Sequence, residues 1–331
     1  MSFWEQLQKP FFVMAPMADV TDPAFRRIIA KYSAHMRLDG SRGGPDVMWT
    51  EFVSADGLAR APEEGQRKLR ADLQYDESER PIVAQLFSSN PEYMESAARL
   101  CREMGFDGVD INMGCPDASI EKQGAGAAHI KNPERAVEVI QAAQKGAGSF
   151  DGGIPVSVKT RLGYNTDILE EWLPKIIATN VAAVTVHART RKEMSKVPAR
   201  WECVERAVVI RDALGVSTRI IGNGDALSLS DARAKALYSG ADGVMLGRAI
   251  FGNPWLFVDH IPTQEERLLV MLEHTRLYEK LLPHKSFAIM KKHFKSYVAG
   301  FDEAGQLRAK LMDACSSADI EVIVENFLHT Q

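Results

Sequence analysis

Residues 81–112 read P-I-V-A-Q-L-F-S-S-N-P-E-Y-M-E-S-A-A-R-L-C-R-E-M-G-F-D-G-V-D-I-N. P-I-V-A-Q-L (81–86) and D-G-V-D-I-N (107–112) are short apolar runs that lack the polar–apolar alternation of a half-exposed strand. Strands of a parallel sheet, covered on both faces, have this composition. Between them, N-P-E-Y-M-E-S-A-A-R-L-C-R-E-M (90–104) opens with an asparagine cap, a first-turn proline and an early carboxylate, which together start a helix. Outward from this unit the same alternation recurs. Candidate strands lie at 11–15, 46–51, 154–160, 181–187, 218–223 and 241–247. The stretch 132–144 opens with another N-P-E, and 228–240 runs from serine caps to a glycine stop, so both read as helices. Eight strand–helix alternations within about 260 residues predict an α/β fold of the (β/α)8 TIM-barrel type, close to its usual length of about 250. A doubly wound sheet has fewer strands, and no G-x-G-x-x-G follows the first strand here.

After Ile261-Pro262 the strand pattern stops and only helical periods remain: 267–282, 286–298 and a last one after Gly305. The predicted organisation is a barrel over residues 1–261 and a small all-helical C-terminal domain over 262–331. Between Lys280 and Lys295 this tail carries five lysines (280, 285, 291, 292, 295), two histidines and no acid. Such a run is commonly a solvated helix face, and it is also the kind of local patch that contacts RNA phosphates. Phe287, Phe294 and Tyr297 within it read as core contacts. The whole chain, at net charge −4, is not a basic nucleic-acid binder. No apolar run is long enough to span a bilayer, and M-S-F-W-E-Q-L-Q-K-P shows no signal-peptide pattern. Cys101, Cys115, Cys203 and Cys315 are far apart with no C-x-x-C pair. That spacing points to a reducing, cytoplasmic setting without a disulfide scaffold or metal site. A monomer is expected.

A TIM barrel builds its site at the carboxyl ends of its strands. Those ends here read M-A-P-M-A (14–18), Glu51, Gln85, Asn112, Lys159-Thr-Arg161, His187-Ala-Arg189, G-N-G-D (222–225) and Gly247-Arg248. The glycine-rich turns after strands seven and eight suit a phosphate held by backbone N–H groups, and Arg248 adds a cation. FMN fits, and so does a sugar phosphate. Lys159 and His187 on adjacent strands suit the edge of a flavin ring, with Gln85 beside them. A Schiff-base lysine of an aldolase-type barrel is the rival reading. Cys115, three residues beyond Asn112, should overhang the mouth. A free thiol with a pKa near 8.5 is protonated at neutral pH and suits a general acid as well as a nucleophile. Pro116 fixes its turn, and Gly124 and Gly126 let the chain bend over what lies below. The other three cysteines fall on predicted helices.

Several motifs occur in a fixed order: M-A-P-M-A-D-V-T-D-P-A-F-R (14–26), D-I-N-M-G-C-P (110–116), V-K-T-R (158–161), V-H-A-R-T-R (186–191), G-N-G-D (222–225), G-A-D-G-V-M-L-G-R-A-I-F-G-N-P-W (240–255) and K-S-F-A-I-M-K-K-H-F-K-S-Y (285–297). As an ordered set they resemble the tRNA-dihydrouridine synthase family. The resemblance implies an FMN enzyme that reduces a specific uridine of tRNA with NADPH. Hydride would go to C6 and a proton from Cys115 to C5 of a uracil flipped out of its stack. It implies FMN contacts at Pro16, Met17, Ala18, Gln85, Lys159 and His187, with the phosphate at Asn223, Gly224, Asp225, Gly247 and Arg248. Asn112 would orient the uracil; Arg189 and Arg191 would lie against RNA, and Lys291 and Lys292 against its backbone.

Three features depart from the family pattern. Residues 34–43 look like an insertion before strand two, Arg200 stands where an acid is expected, and His129 stands where leucine is usual. The first two bear on which tRNA position is read. Three other functions fit parts of the sequence: an FMN oxidoreductase of a small molecule, a non-redox aldolase or isomerase, and a non-catalytic RNA-binding protein. The basic tail argues against the first, since a small substrate needs no RNA-binding appendage.

Overall fold

The computed structural model describes residues 2–37, 40, 42–258 and 260–329. Eight parallel strands form the predicted barrel: β1 (Phe11–Met14), β2 (Met48–Trp49), β3 (Ile82–Phe87), β4 (Gly108–Met113), β5 (Val156–Arg161), β6 (Ala183–His187), β7 (Arg219–Asn223) and β8 (Gly243–Leu246). They follow one another in the order β1-β8-β7-β6-β5-β4-β3-β2. The ring closes where Asp46 N donates to Phe12 O (2.9 Å) and Met14 N to Val47 O (3.2 Å). β2 is much shorter than the 46–51 run, although Val53–Ser54 extends the pairing along β3. Every residue of β3 and β4 is buried, which is why these strands show no alternation.

Outside the barrel lie α1 (Pro23–Tyr32), α2 (Glu63–Asp72), α3 (Pro91–Glu103), α4 (Pro133–Ala147), α5 (Leu169–Ile177), α6 (Trp201–Ala213) and α7 (Leu229–Ser239). The predicted caps form. Asn90 Oδ1 accepts from Glu92 N and Tyr93 N, Asn132 Oδ1 from Arg135 N, and Ser228 Oγ from Asp231 N. Gly240 ends α7 at φ 67°, a conformation that favours glycine. Below the strands, Trp4 of the short helix Phe3–Gln6 packs against Phe11 and Trp49 and plugs the barrel floor.

The C-terminal segment contains α8 (Gln264–Leu281), a 3-10 turn (Phe287–Met290), α9 (Lys291–Tyr297), α10 (Ala304–Asp313) and α11 (Ser317–Leu328). The single last helix expected after Gly305 is therefore two. Ser316 begins the second with a capping box to Asp319. Cys315 sits exposed in the joint between them, not on a helix as predicted; Cys101 and Cys203 are buried in α3 and α6. The tail helices share an apolar core with Ala24 and Ile28 of α1 and with Trp255. Phe294 and Tyr297 belong to that core and Phe287 packs against it, as expected of core contacts.

In the 34–43 segment, His35–Met36 pairs antiparallel with Arg42–Gly43; Leu38, Asp39 and Ser41 lie outside the described residues. This hairpin precedes β2, so it belongs to the barrel end opposite the strands' carboxyl termini. Among the described residues no helix is long and apolar enough to cross a membrane.

Candidate active site

A cavity of about 590 Å3 opens at the carboxyl ends of β1, β5, β6, β7 and β8. That is within the ~300–1,000 Å3 usual for cofactor sites. Every residue expected to hold FMN lines it except Ala18 and Gln85. At one end stand Lys159 and His187. The Lys159 ammonium has no hydrogen-bond or ion-pair partner among the described residues, and burial together with the Arg161 guanidinium pushes its pKa down to about 8. Burial and the surrounding cations hold His187 well below its ordinary value, so its ring is neutral at pH 7. Arg189 Nη1 lies 3.1 Å from His187 Nε2. A guanidinium only donates, so Nε2 accepts and the ring proton is on Nδ1.

At the other end the turns after β7 and β8 form a cradle. Gly224 has φ 129°, and a Cβ there would come within 2.7 Å of Ala199 Cβ and 3.4 Å of His187 Cδ2. Asp225 Oδ1 accepts from Arg248 (2.7 Å), and its Oδ2 from Ala199 N (2.9 Å) and from Arg189. Its carboxylate is thus occupied in holding two guanidiniums, which leaves only its backbone N–H for a phosphate. The Arg189 side chain also donates to Val197 O at 2.6 Å and the residue is only 2% exposed. It is turned inward to the cavity, so it presents almost no surface to RNA.

The loop after β4 carries Cys115. Cys115 does not line the cavity; it packs against Phe87, Ile120 and Ala125 beside it. Its backbone N–H donates to Asn112 Oδ1 at 2.9 Å, and its carbonyl accepts from Ala127 N at 2.9 Å. Gly126, at φ 59°, makes the return pass so tight that a Cβ would meet Cys115 O at 2.8 Å. Gly124 is also left-handed, at φ 77°. Burial pushes the Cys115 thiol up, so it keeps its proton at neutral pH. Asn112 and Gln85 are buried beneath this loop: Asn112 Nδ2 donates to Gln85 Oε1 at 3.1 Å. Arg191 forms an ion pair with Glu121 and reaches Pro116 O, so it clamps the cysteine loop from the β6 side. Nothing in the sequence pattern pointed to Glu121 as its partner.

Arg161, named among the strand ends but not assigned a role, is 7% exposed. It donates to Gly114 O (2.7 Å), Thr190 O (3.2 Å) and Met194 O (3.0 Å), joining the loops after β4 and β6. His129 is buried with Nε2 3.0 Å from Ser88 O, and burial lowers its pKa to about 4. Arg200 pairs with Glu193 at the entrance to α6.

The tail meets the barrel at the β1 and β2 ends. Lys285 Nζ lies 2.9 Å from both Glu51 Oε2 and Asp72 Oδ1. Lys292 is exposed and 3.4 Å from Asp19 Oδ2. Lys280 and Lys295 are exposed and Lys291 is partly so. The five-lysine run is therefore not one surface: Lys285 points into the joint.

A family model described as "Dihydrouridine synthase (Dus)" matches residues 13–330. A "Probable tRNA-dihydrouridine synthase" of Staphylococcus aureus (strain COL) is 37% identical over 333 residues, which cover 98% of this chain and 95% of the relative. A "Probable tRNA-dihydrouridine synthase 2" of Bacillus subtilis (strain 168) is 36% identical over 334 residues, covering 98% and 96%. Two solved structures share the fold. A histamine dehydrogenase from Rhizobium sp. 4-9 has TM-score 0.51 at 13% identity, covering 80% of this chain and 48% of that one. A 2-naphthoyl-CoA reductase has TM-score 0.55 at 11% identity, covering 78% and 50%. The chain spans about half the length of these two, and at such identity the likeness concerns the barrel alone. The match over nearly all of its length shows that the chain belongs to the dihydrouridine synthase family, whose members are flavin-dependent oxidoreductases acting on tRNA.

Proposed function

We propose that this dihydrouridine synthase holds FMN in the cavity between β1 and β5–β8, takes reducing equivalents from NADPH and protonates the uracil from Cys115. The observation that carries the reading is the Lys159 ammonium, mostly buried at the cavity wall with no direct hydrogen-bond or ion-pair partner among the described residues. A buried cation of this kind calls for an anionic or strongly accepting ligand. The residues present fit FMN. Glycine turns with Arg248 suit its phosphate, Pro16 and Met17 give an apolar wall, and Lys159 with the His187 Nδ1–H gives donors for a ring edge. FMN held there would supply the hydride for C6 of the uracil, with NADPH as the source of reducing equivalents.

The remaining roles fall to the chain. The Cys115 thiol, protonated because it is buried, gives its proton to C5. Asn112 keeps one uncommitted N–H for the uracil. Arg191, Lys291 and Lys292 contact RNA, while Arg189 sets the tautomer of His187 from inside.

Two measurements test this. The isolated protein should release FMN on denaturation, identified by mass. It should also form dihydrouridine in a tRNA transcript with NADPH, while Cys115→Ala keeps its flavin and forms at least ~100-fold less. A protein that carries no flavin, or an active Cys115→Ala enzyme, would overturn the proposal.

A further inference from the structure

Beneath the cysteine loop, four side chains form one hydrogen-bonded chain with a fixed direction. Ser157 Oγ donates to Asp110 Oδ1 at 2.6 Å, and Gln85 Nε2 donates to Asp110 Oδ2 at 2.7 Å. Asn112 Nδ2 donates to Gln85 Oε1 at 3.1 Å. Asn112 Oδ1 then accepts from Gly114 N at 3.1 Å and Cys115 N at 2.9 Å. All four side chains are buried: Asp110 and Gln85 are 0% exposed, Ser157 2% and Asn112 7%.

Either amide alone could be turned over, since its two ends have the same shape. Together they cannot. A backbone N–H only donates, so Asn112 must face the loop with its oxygen and Gln85 with its nitrogen. Gln85 must then meet Asn112 with its oxygen, which leaves its own nitrogen facing residue 110. Only an acceptor at that position agrees, and an ionised carboxylate accepts at both oxygens. Burial pushes the Asp110 carboxyl up to about 6, still below neutral pH, with Ser157, Gln85 and Lys159 favouring the charge.

We infer that Asp110 is a positioning residue for the reduction: its carboxylate sets the polarity of the Gln85–Asn112 pair and thereby holds the backbone of Cys115. Asn112, the less deeply buried of the two, keeps one uncommitted N–H as a donor for a carbonyl oxygen of the uracil. The inference rests on the role of Cys115 proposed above, but its test does not depend on that role.

Asn112→Asp puts an acceptor at both ends of Gln85, whose single nitrogen can serve only one of them; the chain is frustrated. Adding Asp110→Asn resolves it in the reverse direction. Asn at 110 donates to Gln85 Oε1, Gln85 Nε2 donates to Asp at 112, and the second oxygen of residue 112 still accepts from the loop. Both variants carry the same side chain at position 112 and differ only at position 110, in polarity and in one negative charge. The readout is the alkylation rate of Cys115 by iodoacetamide in the isolated protein, followed by peptide mass spectrometry. Exposed Cys315 is the internal control, and Cys101 and Cys203 are buried. The double variant should react about tenfold more slowly at Cys115 than Asn112→Asp alone, the equivalent of one to two restored hydrogen bonds. Equal rates, or a faster double variant, would overturn the inference. Asp110→Ala should lower kcat for dihydrouridine formation about tenfold while KM for tRNA and flavin content stay within twofold. Unchanged kcat overturns the positioning role. Loss of wild-type activity in the same assay would speak against the functional reading alone, because alkylation needs no turnover.

Discussion

The proposed role of Cys115 needs a thiol, and its surroundings keep it one. Burial against Phe87 and Ile120 disfavours the thiolate. In the proposed reaction the protonated form is the active one, and its pKa lies above the usual value. The rate of dihydrouridine formation at saturating NADPH should therefore stay level through pH ~8.5, the ordinary thiol value, and fall only above it. A decline centred near pH 8 would report loss of the Lys159 charge instead, and one centred lower a different proton donor. Much at this scale was legible in the sequence. Lys159, His187, Asn223 and Arg248 were found because strand ends in a barrel converge on one mouth. Partners were not legible. Arg189 turns to Asp225 and Val197 O, and Arg191 to Glu121, because loops from different strands meet in space.

Among the elements, the helices were readable from their caps and the strands from continuous burial. Asn90, Asn132 and Ser228 mark their helices within a residue or two. The tail was harder, because the joint at Ala314-Cys315 interrupts a helical period without a glycine or proline. The proposed reaction depends most on the loop after β4, which carries Cys115. Gly126→Ala must carry a side chain at φ 59° and drive a methyl to 2.8 Å from Cys115 O and 2.9 Å from Ile120 Cγ2. The loop has to move, and activity should fall at least ~10-fold while flavin content is retained. Normal turnover in this variant would mean that the loop's position does not matter. Glu121→Gln, which removes the charge paired with Arg191, should have the smaller effect of about two- to fivefold on kcat, since Arg191 is partly exposed and its other contacts remain.

Across the whole molecule, the joint between tail and barrel combines charge with burial. Replacing Lys291 and Lys292 by Glu should raise KM for tRNA and reduce the salt slope of tRNA binding by roughly 2, with flavin content unchanged. An unchanged salt slope would remove these lysines from the RNA surface. Asp22, 1% exposed at the start of α1, makes a second test. Burial and the charge of Glu51 push its carboxyl up to about 7. Because the folded-state value is raised, the stability its protonation confers is full below about pH 4 and is lost as pH rises to about 7. Asp22→Asn has no proton to lose and can still cap Phe25 N. Its melting temperature relative to wild type should therefore climb between pH 4 and 8. A flat difference would mean Asp22 is not the group that titrates. The lysine run announced a tail with a charged face, but composition could not say that Lys285 faces inward, because Glu51 and Asp72 lie more than 200 residues away in the chain.

The Lys285 contact bears on how such enzymes diverge. Glu51, at the end of β2, also accepts from the backbone N–H of Asp19, in the segment that follows Pro16 and Met17 at the cavity wall. A tail transplanted onto this barrel would have to bring cations to the places of Lys285 and Lys292, because Glu51, Asp72 and Asp19 are fixed on the barrel side. The appendage is thus no interchangeable cartridge: its charges and those at the rim of the barrel form one matched set.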